Sequence, residues 1–184
     1  MIAECLIFLA TFAPQGVLTQ AELNEYRACQ ETVPFTAFEH FDLIQEHFAP
    51  INWDTAIKVS WCESRHNTSA LRTAEGNFDS GYFQFVSWTW NWIAEKYELP
   101  KWNDYVITYR DRPWDRHPKE TQSDLENYKF IKVQFSPYYN ILFASLLVED
   151  IYGYVQWDDW SSSKWCWANT EKFIERVAKE KSMS

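Results

Sequence analysis

Basic residues are scarce in this chain: 17 Lys and Arg stand against 26 Asp and Glu, a net charge of −9. Nonspecific nucleic-acid binding needs basic surface, so that class of function is excluded, and a polybasic membrane anchor with it. No hydrophobic run reaches the roughly 20 residues of a transmembrane helix, and stable membrane insertion is not expected. No Cys-x-x-Cys pair occurs, and His40, His47, His66 and His117 show no ligand spacing. A metal site is therefore not expected, and no cofactor either. Repeats, low-complexity tracts and linkers are missing as well.

What is present is enough for one domain with a real core: 184 residues, 46% of them hydrophobic. Aromatics make up 18%, with 11 Trp. Most of these belong in a core, and the surplus fits a carbohydrate groove, because sugar rings stack on indole faces. The four cysteines, Cys5, Cys29, Cys62 and Cys166, permit two disulfides in three connectivities. The opening MIAECLIFLATFAPQ has a short apolar run from Cys5 to Ala13, then Pro14. It lacks a basic n-region and carries Glu4, which favours a truncated or buried N-terminal segment over a secretion signal cut near Ala13.

Helix signals dominate, so a mainly α fold is expected. Thr19-Gln-Ala-Glu22 and Thr36-Ala-Phe-Glu39 both spell capping boxes. The second opens an amphipathic segment with Ala37, Phe41, Ile44 and Phe48 on one side, delimited by Pro34 and Pro50. Asn52 can cap a third helix, with Trp53, Ala56, Ile57, Ser60, Trp61 and Ser64 on one stripe. Glu63 falls in its last turn, where the negative end of the helix dipole disfavours an ionised carboxylate. Residues 67–83 lose the helical period and read as turns with a small hairpin. Ser87 caps a short helix that runs to about Tyr97, before Pro100. Residues 101–135 read as a loop-rich insertion with a short helix after Thr121. Ser136-Pro137 starts a helix that is apolar nearly all round and should be the buried central one, with Gly153 as its stop. An aromatic loop follows, and a last helix begins near Thr170.

One Glu late in a helix is ordinarily a solvated surface residue. Its setting here is Cys62-Glu63-Ser64, then Asn67 and Ala70, then Gly81-Tyr82-Phe83-Gln84, continuing Phe85-Val86-Ser87-Trp88-Thr89-Trp90. Asn140-Ile141-Leu142-Phe143-Ala144 and Gly153…Trp157…Trp160…Cys166-Trp167 come later. In order and spacing, this series resembles the lysozyme-like superfamily of lytic transglycosylases, and among them the resuscitation-promoting-factor type. The resemblance spans residues 52–100 and 136–168. His66 stands where that family commonly has an aromatic. The family's Ala-Tyr-Asn segment is absent, although Tyr138-Tyr139-Asn140 offers tyrosines near the same place.

The resemblance implies an α+β lysozyme-like fold: a helical bundle around a buried central helix, with a small hairpin wing beside an active-site groove. It would divide the chain into an N-terminal or signal segment 1–18, a helical extension 19–50, a catalytic domain 51–168 containing the insertion 101–135, and a C-terminal helix 169–184. Glu63 would be the catalytic acid and base. Gln84 would bond sugar or the Glu63 region, Gly81 would let substrate approach the backbone, and Ser64, Ser80 and Tyr138 would line the site. Asn140 reads as a structural polar residue. The family's pairing implies a Cys62–Cys166 disulfide, leaving Cys5 either bonded to Cys29 or lost with a signal. The implied reaction cleaves peptidoglycan strands between N-acetylmuramic acid and N-acetylglucosamine, by a monomeric enzyme that is secreted, periplasmic, wall-associated or virion-borne. The segment from His66 to Gln84 also resembles C-type lysozymes, whose second carboxylate would be Asp79 here, giving hydrolysis. A glycan-binding module without turnover would use the same aromatics.

Overall fold

The computed structural model describes residues 1–11, 19–74, 77–109 and 128–183. Among them lie eight α-helices and two small antiparallel hairpins, so the chain is mainly helical. It divides into two compact units: Met1–Cys62 together with Trp160–Ser184, and Glu63–Asp159.

The first unit begins with α1 (Ile2–Thr11) and α2 (Gln20–Thr32), which pack together and are bonded through Cys5 and Cys29. Ile2 and Leu6 of the apolar N-terminal run are fully buried. The first capping box forms as spelled: the Thr19 hydroxyl accepts from the Glu22 N–H, and the Glu22 carboxylate accepts from the Thr19 N–H at 2.8 Å. The far end of α2 is closed from a distance. The Lys181 ammonium donates to the carbonyls of Gln30 and Val33 and lies 4.3 Å from the Phe35 ring centre. After α3 (Phe41–His47), a 3₁₀ turn at Pro50–Asn52 leads into α4 (Trp53–Ser64). Every residue from Ala56 to Trp61 is buried, so α4 is enclosed all round rather than along one stripe. Lys58 accordingly points its amine at the Thr170 hydroxyl, 3.1 Å away. A 3₁₀ stretch at Asp158–Ser163 and the short α7 (Lys164–Trp167) carry the aromatic segment. The terminal α8 (Thr170–Lys181) is capped by Asn169 and buries Phe173 and Val177, one turn apart; Phe173 meets Trp61 edge to face at 5.0 Å.

The second unit holds β1 (Leu71–Ala74) paired with β2 (Asn77–Ser80), then α5 (Ser87–Tyr97), β3 (Tyr105–Tyr109) paired with β4 (Tyr128–Lys132), and α6 (Pro137–Glu149). Trp90 is its hub. The indole stacks on Phe143 of α6 at 3.9 Å, receives the edge of Phe85 at 5.7 Å, and donates Nε1–H to the Pro100 carbonyl at 3.0 Å. Each aromatic pair of this kind is worth about 0.5–1.5 kcal/mol beyond its buried area. Ile141, Ala144, Leu147 and Val148 complete the buried surface of α6.

Several local expectations are corrected. Thr36 is not an N-cap: Phe35–His40 is a 3₁₀ stretch entered at Pro34, which makes no side-chain cap bond. At three residues per turn Ala37 and His40 eclipse, and both are buried, which decides in favour of the tighter helix. Ser87 is the first residue of α5 and not its cap, and the Ser136 hydroxyl makes no cap bond although Pro137 does open α6. Helix α6 ends at Glu149, ahead of Gly153. The Leu146 carbonyl takes both the Asp150 and Ile151 N–H groups, and Gly153 (φ +71) closes the next turn onto Asp150. Within the insertion, the described residues form the β3–β4 hairpin. Residues 110–127, most of the stretch where the short helix was expected, lie outside the described residues.

Candidate functional site

Helix α4 presents Glu63 and Ser64 in its last turn, Glu63 half-buried. The chain then leaves the helix through two left-handed residues, Arg65 (φ 58) and His66 (φ 61). Neither is glycine, and this conformation costs about 1–2 kcal/mol for each. Three contacts hold it. The Asn67 N–H returns to the Ser64 carbonyl at 3.1 Å. The Ser64 hydroxyl donates to the Tyr82 carbonyl at 2.8 Å. The His66 ring lies flat on Tyr82 at 5.2 Å, both residues buried. The imidazole thus packs here as an aromatic ring would.

Asn67 organises the next turn. Its side-chain oxygen accepts from the Ser69 N–H at 2.9 Å and its carbonyl from the Ala70 N–H at 3.2 Å, the local bonding that makes Asn a turn former. The Ala70 carbonyl then receives two donors from the second motif, the Gly81 N–H at 2.9 Å and Gln84 Nε2 at 3.2 Å. Gln84 Nε2 also donates to the Gly81 carbonyl at 2.8 Å, and Ser80 and Phe85 close the turn with two backbone bonds of 2.9 and 3.0 Å. Ser64, Asn67…Ala70 and Gly81…Gln84 are separate in sequence and joined by hydrogen bonds in space.

Helix α6 fixes this arrangement through Asn140. Its Oδ1 accepts from the Phe83 N–H at 2.7 Å, and its Nδ2 donates to the Gln134 carbonyl at 2.9 Å and the Ser80 carbonyl at 3.3 Å. Asn140 is fully buried and structural. A buried Asn in an otherwise apolar helix is the sequence signal for such a clamp, since buried polar groups are bonded ones. Gly81 has a structural reason of its own. Its φ is +80, and a Cβ there would lie 2.2 Å from both Asn140 Nδ2 and the Gln134 carbonyl. Gln84 likewise spends its amide nitrogen on Ala70 and Gly81.

The remaining candidates are Asp79 and Ser80 at the end of β2 and Tyr138 at the start of α6. Asp79 is half-buried on β2, directly across from Arg72. Its neighbours Phe78 and Ser80 line a pocket with Leu71, and strand alternation puts Asp79 on the opposite face. Ser80 is 1% exposed, and its hydroxyl has no partner among the described residues. Tyr138 stands on the first turn of α6, edge to face with Tyr139 at 5.1 Å; burial and Tyr138 push the Tyr139 hydroxyl above its ordinary range. Cys62, the chain neighbour of Glu63, is bonded to Cys166. Among the described residues no three His, Cys, Asp or Glu side chains gather as metal ligands, and no helix is long and apolar enough to cross a membrane. Chemically, the assembly offers one half-buried carboxyl at a helix end, next to the residue that is hydrogen-bonded to the Tyr82 carbonyl. No protein-family model, curated protein or solved structure matches this chain.

Proposed function

We propose that this protein cleaves peptidoglycan between N-acetylmuramic acid and N-acetylglucosamine by lytic transglycosylase chemistry on a lysozyme-like fold. The observation that carries the reading is the bonding of the Glu63-Ser64 helix end to the Gly81–Gln84 turn, through Ser64 to Tyr82 and through Ala70. These are the segments on which the family resemblance rests, and their joining supports the reading because acid catalysis needs a positioned carboxyl.

In this reaction the Glu63 carboxylic acid protonates the bridging oxygen as the bond from the muramic anomeric carbon breaks. The leaving N-acetylglucosamine carries that proton away. The Glu63 carboxylate then takes the proton of the muramic 6-hydroxyl as its oxygen attacks the anomeric carbon. The product is a 1,6-anhydro end, and the acid is restored without water. Hydrolysis on the lysozyme pattern would instead need a second carboxylate about 5–5.5 Å from the first. Asp79 is the candidate for that second carboxylate, and its substitution separates the two routes. The two disulfides suit an oxidising compartment, so an exported or virion-borne enzyme.

The test is digestion of purified peptidoglycan with mass analysis of the released muropeptides. Anhydro ends, lighter by one water than reducing ends, are expected. Reducing ends would make it a lysozyme in mechanism, and strands bound but left intact would make it a binding module.

A further inference from the structure

We propose that the second unit carries a pocket for a single pyranose ring bearing a carboxylate, set between the first hairpin and the base of the second. The pocket measures about 320 Å³. That lies near the lower end of small-ligand pockets, about 300–1,000 Å³, and suits one ring rather than a run of them. Its apolar lining is Leu71 from β1 and three aromatic side chains: Phe78 from β2, Trp102 ahead of β3, and Phe135 just after β4. Phe78 is 55% exposed, an apolar surface that the C–H face of a sugar would cover.

The polar groups supply the rest of the recognition. Ser80 lines the pocket, and its buried hydroxyl has no partner among the described residues. Buried polar groups are ordinarily bonded, so a turn of this side chain toward the pocket would give its hydroxyl a ligand partner. Asn103 is fixed in a left-handed conformation by a reciprocal pair with Gln134: the Asn103 N–H donates to Oε1 at 3.2 Å, and Gln134 Nε2 donates to Asn103 Oδ1 at 3.0 Å. That pairing uses the Asn103 oxygen and turns its Nδ2 donor over to a ligand. Lys132, exposed at the end of β4, forms no ion pair among the described residues. None of the lining residues is acidic, and Lys132 gives the pocket a positive charge that would attract a carboxylate. Most of these residues belong to the insertion that the family resemblance does not cover. The inference stands whether or not Glu63 cleaves a glycan.

The experiment titrates the full protein, as its Glu63→Gln form so that nothing is turned over. N-acetylmuramic acid, N-acetylglucosamine and glucuronic acid are the probes, followed by amide NMR shifts and calorimetry. The carboxylate sugars should bind about tenfold more tightly than N-acetylglucosamine, a charged contact's worth of discrimination. They should shift the Ser80 and Asn103 amides. Lys132→Gln should erase the difference between charged and neutral sugars, and Phe78→Ala should weaken them all. Tighter binding of N-acetylmuramic acid would point to a wall sugar, and of glucuronic acid to a uronic acid polymer; both support the pocket. Equal affinity for charged and neutral sugars, discrimination that survives Lys132→Gln, or shifts that avoid Ser80 and Asn103 would overturn it. Peptidoglycan digestion by the parent protein is scored separately, so this proposal and the cleavage proposal can fail independently.

Discussion

The Ser64 hydroxyl donates to the Tyr82 carbonyl at 2.8 Å, so the last residue of α4 is bonded to the turn that follows β2. Glu63 sits one residue before that bond. The bond and the stack of His66 on Tyr82 together leave the end of α4 little freedom, although two non-glycine residues there are left-handed.

Glu63→Gln keeps the shape of the side chain and removes its proton. Cleavage of purified peptidoglycan should fall by at least about 10²–10⁴, while the circular dichroism spectrum and urea midpoint stay at parental values. A variant with near-parental muropeptide release would remove Glu63 from the mechanism.

Asp79→Asn should cost far less activity than Glu63→Gln, because an internal 6-hydroxyl nucleophile needs no second carboxylate. The comparison is made on the same substrate at equal enzyme concentration. A near-dead Asp79→Asn enzyme yielding reducing-end products would reassign the chemistry to hydrolysis.

Gly81→Ala should destabilise the protein by about 2–4 kcal/mol, from a Cβ forced against Asn140 and the Gln134 backbone and from the positive φ. Gly153→Ala provides the contrast. It shares a positive φ but meets nothing within 4 Å, so only the conformational cost of about 1–2 kcal/mol applies. Asn140→Leu should cost about 1–3 kcal/mol by orphaning the Phe83 N–H. Urea unfolding measures all three, and equal effects at the two glycines would contradict the close packing at Gly81.

Removal of the Cys62–Cys166 bond by a double serine variant should destabilise more than removal of Cys5–Cys29. The bridges span 104 and 24 residues, which in the chain-entropy model correspond to about 4.7 and about 3.4 kcal/mol. Denaturation of the two variants under identical non-reducing conditions tests the order.

His40 is held neutral by burial, which pulls its pKa from 6.5 down to about 4 against the opposing influence of Asp42 and the Glu39 backbone. Below pH 6.5 the unfolded chain takes up a proton that the folded chain refuses. The contribution is therefore complete above pH 6.5 and is lost as the pH falls toward 4, on the order of 3 kcal/mol in total. His47, also shifted down by burial, adds in the same direction. Urea midpoints should drop across this window, and His40→Gln should flatten the slope. A midpoint independent of pH from 7 to 4 would refute the assignment.

Local chemistry decided much in advance. The Thr19…Glu22 box, the start of α6 at Pro137, the end of α5 before Pro100 and the start of α8 at Thr170 all follow from groups within a few residues of one another. The series from Glu63 to Gln84 could likewise be picked out as a candidate site, because its residue types and order are a sequence property. Where distant partners compete, sequence was not enough. Thr36 and Glu39 spell a cap, yet burial of Ala37 and His40 makes that stretch 3₁₀. The sequence does not show that Asn140, from a helix nearly sixty residues on, packs so closely on Gly81 that a Cβ there has no room. Lys132, Asn103 and Ser80 share a pocket only because strand pairing and the turn at Gln134 bring them together. Capping and turn formation depend on bonds between near neighbours, which the sequence carries on its face. A pocket depends on long-range packing, and that is settled only when the whole unit has closed.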